Sequence, residues 1–269
     1  MNEYAVLCHN CRQLMNKDSQ KCPNCGAKNF RVFHFFDQHK KMNVSSLLVG
    51  CNVGIFILSL LITSKYSEFS PFGFLHFFSP SSAFLQILGC ADPGRFFQGS
   101  YWVLISSAFL HAGILHITFN MIWLKELYPI NEKVFGMLGT FFIYIFSGVG
   151  GSLCAVIFGD SPVVGASGAI FGLLTAYIAS AQYSQDLWHR FFSKRYLKIG
   201  LIVLVIGFLT PGVSNLAHLG GAFFGYVAGK LFAFYRPGLL IRGFLGGLAV
   251  FCTFSSFLFS FYNLFSHLF

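Results

Sequence analysis

The stretches GASGAIFG at residues 165–172 and AHLGGAFFG at residues 217–225 decide the reading of this chain, because each sets one reactive side chain in an apolar run lined with glycine. Gly168 and Gly172 recur four residues apart in the first, and Gly221 and Gly225 do so in the second. That spacing puts each pair on one helix face, and small residues let two helices approach closely in lipid. Ser167 and His218 stand beside those glycines. A third stretch, HAGILHITFN at 111–120, carries His111, His116 and Asn120, the last two four residues apart and so on one face. Polar side chains inside a bilayer are costly, so each needs a structural or functional reason.

The rest of the chain says that these runs do lie in a bilayer. Only 10% of the 269 residues are charged, against about 25% in an ordinary soluble domain. The 36 Phe and 28 Gly suit lipid-facing surface and close helix packing respectively. A net charge of +9 raises nucleic acid as a partner, but the basic residues fall in short clusters between apolar runs and form no continuous stripe, so no nucleic acid is expected. Apolar runs predict seven spans, at about 45–64, 111–128, 134–158, 166–183, 197–210, 214–235 and 239–266. Asn43 or Ser45 can cap the first. Residues 65–110 are too broken by Pro71, Pro80 and Pro93 for a span and too apolar for an ordinary loop, which predicts a segment lying in the membrane interface.

Lys and Arg set the orientation. The N-terminal segment, the 184–198 loop and the 230–242 joint are rich in them, whereas 159–165 and 211–213 contain none. The positive-inside bias makes the N-terminus cytosolic and the C-terminus external, with Ser167, His218 and His111 all toward the external side. The first thirty residues are polar and contain no apolar stretch of the kind a cleavable signal peptide needs.

Eight cysteines divide into two groups. Cys51, Cys90, Cys154 and Cys252 sit singly in or beside apolar segments, where cysteine behaves as a small hydrophobe. Cys8 and Cys11, and Cys22 and Cys25, form two Cys-x2-Cys pairs with a ten-residue spacer. Four thiolates at that spacing can close one tetrahedral site around a structural zinc, supplying folding energy to a segment with almost no core. Two disulfides are the alternative, and a cytosolic N-terminus disfavours them. A segment of this kind suits protein docking or its own folding better than nucleic acid. The expected division is a zinc ribbon at 1–30, a basic and aromatic linker at 31–44, a helical core at 45–236 and an additional helix at 237–269.

A serine and a histidine brought within about 2.6–3.2 Å can act as nucleophile and general base. No Asp or Glu lies in the outer half of these helices, so a dyad is expected in place of a triad. His116 and Asn120, with a backbone N–H near Ser167, can form an oxyanion hole, each donor being worth typically about 2.7–4 kcal/mol. His111 and His116 as metal ligands or a proton relay remain an alternative. Glu132 reads as a loop anchor or a solvated charge, and His34, His39, His76, His189 and His267 as interfacial side chains.

Taken together these motifs resemble the rhomboid proteases. Gly165-Ala166-Ser167-Gly168 is similar to their GxSG motif and Ala217-His218 with Gly221 and Gly225 to their AHxxGxxxG motif; the His111, His116 and Asn120 run matches, and Glu132-x3-Gly136 resembles a further loop element. The resemblance covers residues 45–235. It implies an all-α polytopic membrane protein with a six-helix core, to which the last helix and the ribbon are additions. It further implies a serine endopeptidase acting on bonds in or near transmembrane segments of other proteins, without a catalytic cofactor. Ser167 would be its nucleophile and His218 its base, with His116 and Asn120 supporting the oxyanion and His111 close by. The implied place is the bacterial inner (cytoplasmic) membrane, and the implied partners are transmembrane substrates, the bilayer and a protein docked on the ribbon. One departure is that relatives often carry Trp-Arg before the first histidine, where this chain has Trp102-Val103. A catalytically silent rhomboid-like adaptor is the alternative function; loss of Ser or His would mark it, and both are present. A transporter is disfavoured, because the polar residues gather in one leaflet and no inverted repeat or intramembrane carboxylate is evident.

Overall fold

A computed structural model describes residues 5–8, 13–16, 19–26, 43–63, 78–159 and 162–268. The linker expected at 31–44 lies almost wholly outside them, as do Cys11, His34, His39 and His76. At the N-terminus, β1 (Ala5–Leu7) pairs antiparallel with β2 (Leu14–Asn16), Val6 facing Met15. Everything else that is regular among the described residues is helical: α1 (Val44–Thr63), the short α2 (Ser82–Ile87), α3 (Pro93–Phe97) and α4 (Val103–Ser106), then α5 (Ile114–Phe135), α6 (Met137–Phe158), α7 (Ser167–Ala181), α8 (Leu187–Leu209), α9 (Asn215–Tyr235) and α10 (Leu239–Leu268).

Seven long helices therefore stand where seven apolar runs were read. Asn43 does cap α1, its Oδ1 accepting from the Ser46 N–H at 3.1 Å. Two boundaries differ. α5 continues through Pro129 to Phe135, leaving Gly136, at φ +78°, as the single-residue joint to α6. α8 begins ten residues before the expected span, capped by Asp186, whose side chain accepts from the Trp188 N–H. Its first turns mix Trp188, Phe191 and Phe192 with Arg190, Lys194 and Arg195, an amphipathic start that a search for unbroken apolarity passes over.

By length and apolarity alone, only α1, α6 and α10 qualify as membrane spans among the described residues; α4 and the turn after it, bent 94° from α5, would make a fourth. The others fall short by length or by charge: α5 carries Lys125, Glu126, Glu132 and Lys133, and α8 carries Arg190, Lys194, Arg195 and Lys198. α7 is 15 residues long, with Leu173, Ala176 and Ala179 wholly out of contact with solvent or lipid. A helix surrounded by protein can trade bulk for glycine and hydroxyl groups that its neighbours satisfy.

The core is centred on Leu124, Tyr128, Ile143, Tyr144 and Leu173, drawn from α5, α6 and α7. α7 and α9 are the closest pair. A β-carbon on Gly221 would run into the Gly168 carbonyl, and one on Gly225 into that of Gly172. Thr175 Oγ1 crosses the same seam to the Ala222 carbonyl at 2.7 Å, and Gln182 Nε2 donates to the Tyr226 hydroxyl at 3.0 Å.

Candidate active site

The site forms where α7 and α9 begin. Ser214 caps α9, its hydroxyl accepting from the Ala217 N–H, and so fixes the first turn that carries His218. Ser167 is the first residue of α7, half-buried, and His218 is 7% exposed. Since the glycine seam brings the two backbones together, His218 Nε2 and Ser167 Oγ meet at 2.9 Å. Phe171, one turn beyond Ser167, stacks on the His218 ring with centroids 4.5 Å apart and planes within 21°. That contact holds the ring in the orientation the hydrogen bond needs. His218 Nδ1 meets no partner among the described residues.

Gly165 precedes the nucleophile at φ +126°, and a β-carbon there would lie 2.7 Å from His116 Nε2 and 3.8 Å from Ser167 Oγ. The turn therefore requires glycine twice over, by conformation and by the closeness of the His116 ring. His116 Nδ1 accepts from the Ala112 N–H at 3.4 Å. With Nδ1 an acceptor, the ring proton sits on Nε2, the nitrogen beside the Gly165–Ser167 turn. His111 is buried, 5.2 Å from His116 ring to ring. Asn120 is buried and gives one N–H to the His116 carbonyl at 2.8 Å, leaving its second for other use.

Ser167, His218 and His116 thus come together from the starts of three helices, with His111 against the His116 ring and Asn120 one turn further along α5. Sequence reasoning missed Phe171, although its place four residues after Ser167 on the same face was a usable signal. It also missed the role of Ser107, whose carbonyl accepts the Gly165 N–H at 2.9 Å; nothing local marks that contact. His189 is no mere interfacial side chain: its Nε2 lies 3.1 Å from the Ser180 hydroxyl and 3.2 Å from the Tyr177 carbonyl, tying α8 to α7. Cys90 is buried, and burial, helped by Asp92, pushes its thiol up to about 11, which suits a packing role.

At the N-terminus the Cys8, Cys22 and Cys25 sulfurs all lie within 4.8 Å of one another, with Cys8 and Cys25 3.6 Å apart. A disulfide needs ~2.05 Å. Thiolates around a tetrahedral ion with ~2.3 Å bonds stand ~3.8 Å apart, so this sulfur set fits a metal.

The chain matches the Rhomboid domain family model over residues 98–234. It is 31% identical over 201 residues to RHOMBOID-like protein 4 of Arabidopsis thaliana, covering 67% of this chain and 50% of that protein. It is 30% identical to Rhomboid protease GluP of Bacillus subtilis over 60% of this chain and 32% of that one, and 30% identical to Putative rhomboid protease YdcA of the same organism over 51% and 68%. The chain spans half the length or less of the first two. Fold and helix pattern define a polytopic all-α integral membrane protein. This chain belongs to the rhomboid family.

Proposed function

We propose that the protein is an intramembrane serine endopeptidase with Ser167 as nucleophile and His218 as general base. The observation that carries this is the 2.9 Å contact between Ser167 Oγ and His218 Nε2, with the imidazole clamped by Phe171. As Oγ attacks the carbonyl carbon of the scissile peptide bond, Nε2 takes its proton. The tetrahedral oxyanion then meets the His116 Nε2–H, the second N–H of Asn120 and the amides at the start of α7, which have no partners within the helix and sit at the positive end of its dipole. His218 returns the proton to the departing amine, and water resolves the acyl-enzyme by the same steps in reverse. His111 lines the site behind His116. No further ionisable group is called for, and the pair works as a dyad.

Substrates in this reading are membrane proteins cleaved in or beside a transmembrane segment. The distribution of Lys and Arg supports a cytosolic N-terminus and a site opening outward, and the proposed place is a bacterial inner membrane. Residues 45–236 form the protease core and 237–269 an addition to it. The ribbon at 1–30 holds one structural zinc through Cys8, Cys22 and Cys25, with Cys11 completing the four; it serves as a docking or folding module.

The test is detergent-purified protein offered a serine-directed fluorophosphonate and a panel of single-span membrane proteins. Covalent labelling of Ser167 and cleavage of a panel member, both absent from Ser167→Ala, are the expected results. Wild-type protein that neither labels nor cleaves would sink the protease reading in favour of the adaptor.

A further inference from the structure

The added C-terminal helix is the part of the molecule that the chemistry above leaves unused, yet two of its hydroxyls reach acceptors beyond their own helix. Ser260 Oγ, buried, shares its proton between the Leu88 carbonyl at 3.0 Å and the Ser256 carbonyl of its own helix at 3.2 Å, and Ser256 Oγ donates to the Trp102 carbonyl at 3.0 Å. Both acceptors belong to the broken segment between α1 and α5. Around them Phe259 stacks on the Trp102 ring and Phe257 meets Phe109 edge-on at 4.9 Å. At the opposite end of α10, Arg242 Nη1 donates to the Phe135 carbonyl at the end of α5.

The two anchored points lead to the nucleophile by separate routes. From Leu88 the chain reaches Ala91, which forms an isolated antiparallel bridge with Val163, N–H to carbonyl in both directions at 3.0 Å. From Trp102 it runs through α4 to Ser107, whose carbonyl holds the Gly165 N–H at 2.9 Å. Ser106 Oγ joins the routes by donating to the Gly89 carbonyl at 2.6 Å. Val163 and Gly165 precede Ser167 by four residues and two. Arg95 lies over the Trp102 ring at 5.3 Å and donates to the Gln86 carbonyl, so a guanidinium buttresses Trp102 from α3 although Val103 stands where relatives carry arginine.

We propose that α10 is a strap that positions the catalytic serine: Ser256 and Ser260 pin the interfacial segment, and that segment holds Val163 and Gly165 and thereby the turn that presents Ser167. Ser256 and Ser260 are positioning residues and touch no substrate. The coupling stands on the geometry alone, while its catalytic consequence rests on Ser167 being the nucleophile.

Full-length protein in detergent carrying Ser256→Ala and Ser260→Ala together tests it by two readouts. Hydrogen exchange at the Val163 and Gly165 amides is expected to quicken about tenfold, as loss of one or two ordinary hydrogen bonds gives, while amides within α7 and α9 keep their rates. Fluorophosphonate labelling of Ser167 should slow by a similar factor, and threonine at both positions should restore both readouts. Thr253→Ala is the control, since that hydroxyl bonds only the Ala249 carbonyl of its own helix; it should change neither. Unchanged exchange at Val163 and Gly165 in the double variant, or equal quickening in Thr253→Ala, overturns the strap. Quickened exchange with a wild type that never labels would leave the strap standing and bring down the nucleophile assignment instead.

Discussion

The α7–α9 seam and the cysteine hairpin each gather distant side chains into a cluster, by opposite means. In the hairpin, three sulfurs converge from a chain of about twenty residues with a buried cluster of only Cys8, Met15 and Cys22 among the described residues. In the proposed ribbon, metal–ligand bonds do the holding. In the seam, Ser167 and His218 are 51 residues apart, and backbone contact across glycine does the holding. A cluster held by ligands reorganises when the ion leaves; one held by packing is in place before any substrate arrives. The second is what a nucleophile and base require, because catalytic groups gain most from being oriented in advance.

The largest effect expected follows directly. Ser167→Ala and His218→Ala should each lower turnover on the order of 10⁴–10⁶, and the double variant should be scarcely worse, since the pair acts as a unit. Cleavage of a purified membrane substrate measures it. Losses that multiply in the double variant would mean that the two side chains act independently and that the 2.9 Å contact is not the working one.

Next comes the seam. Gly221→Ala puts a methyl against the Gly168 carbonyl, while Gly243→Ala in α10 meets nothing within 4 Å. Overpacking at the first should cost about 1–3 kcal/mol and, by parting Ser167 from His218, slow fluorophosphonate labelling on the order of 10². The second should leave labelling and melting unchanged. Equal behaviour of the two would show that backbone closeness is not what aligns the dyad.

Smaller still are the oxyanion donors. His116→Ala should lower kcat on the order of 10²–10³, because its Nε2 is the ring nitrogen facing the Gly165 turn. Asn120→Ala should cost less, about tenfold, within the range for one of several donors, since one of its two N–H groups is already given to the His116 carbonyl. A KM rise with kcat unchanged in either variant would assign it to substrate binding instead.

What could be read in advance follows the same division. Seven apolar runs gave seven helices, and the motifs gave Ser167, His218 and His116, because helix periodicity and glycine spacing are local properties. The early start of α8 escaped because its first turns carry charge. The interfacial segment was legible as neither span nor loop, but not as a set of short helices pinned by Ser256 and Ser260: those bonds join residues 154 and 172 positions apart. No local pattern in either partner records such a contact. Phe171 sits between the cases, being near Ser167 in sequence yet given its role by a ring on another helix.

The smallest effect on catalysis is expected from the hairpin, and there the contrast is sharpest. Cys22→Ser should remove zinc from protein purified under reducing conditions, as measured by metal analysis against about one ion per wild-type chain, the stoichiometry of a closed four-thiolate site. Three ligands would remain, but the lost thiolate takes with it both affinity and the folding energy that binding supplies. Labelling of Ser167 should nevertheless proceed at the wild-type rate, since a closed site offers no coordination position to a substrate and, among the described residues, the seam draws on none of the hairpin. Wild-type protein without zinc would remove the ribbon from the account. Zinc-dependent labelling would be the more instructive failure, because it would mean that the packed seam is not self-sufficient and that the hairpin bears on the helices it precedes.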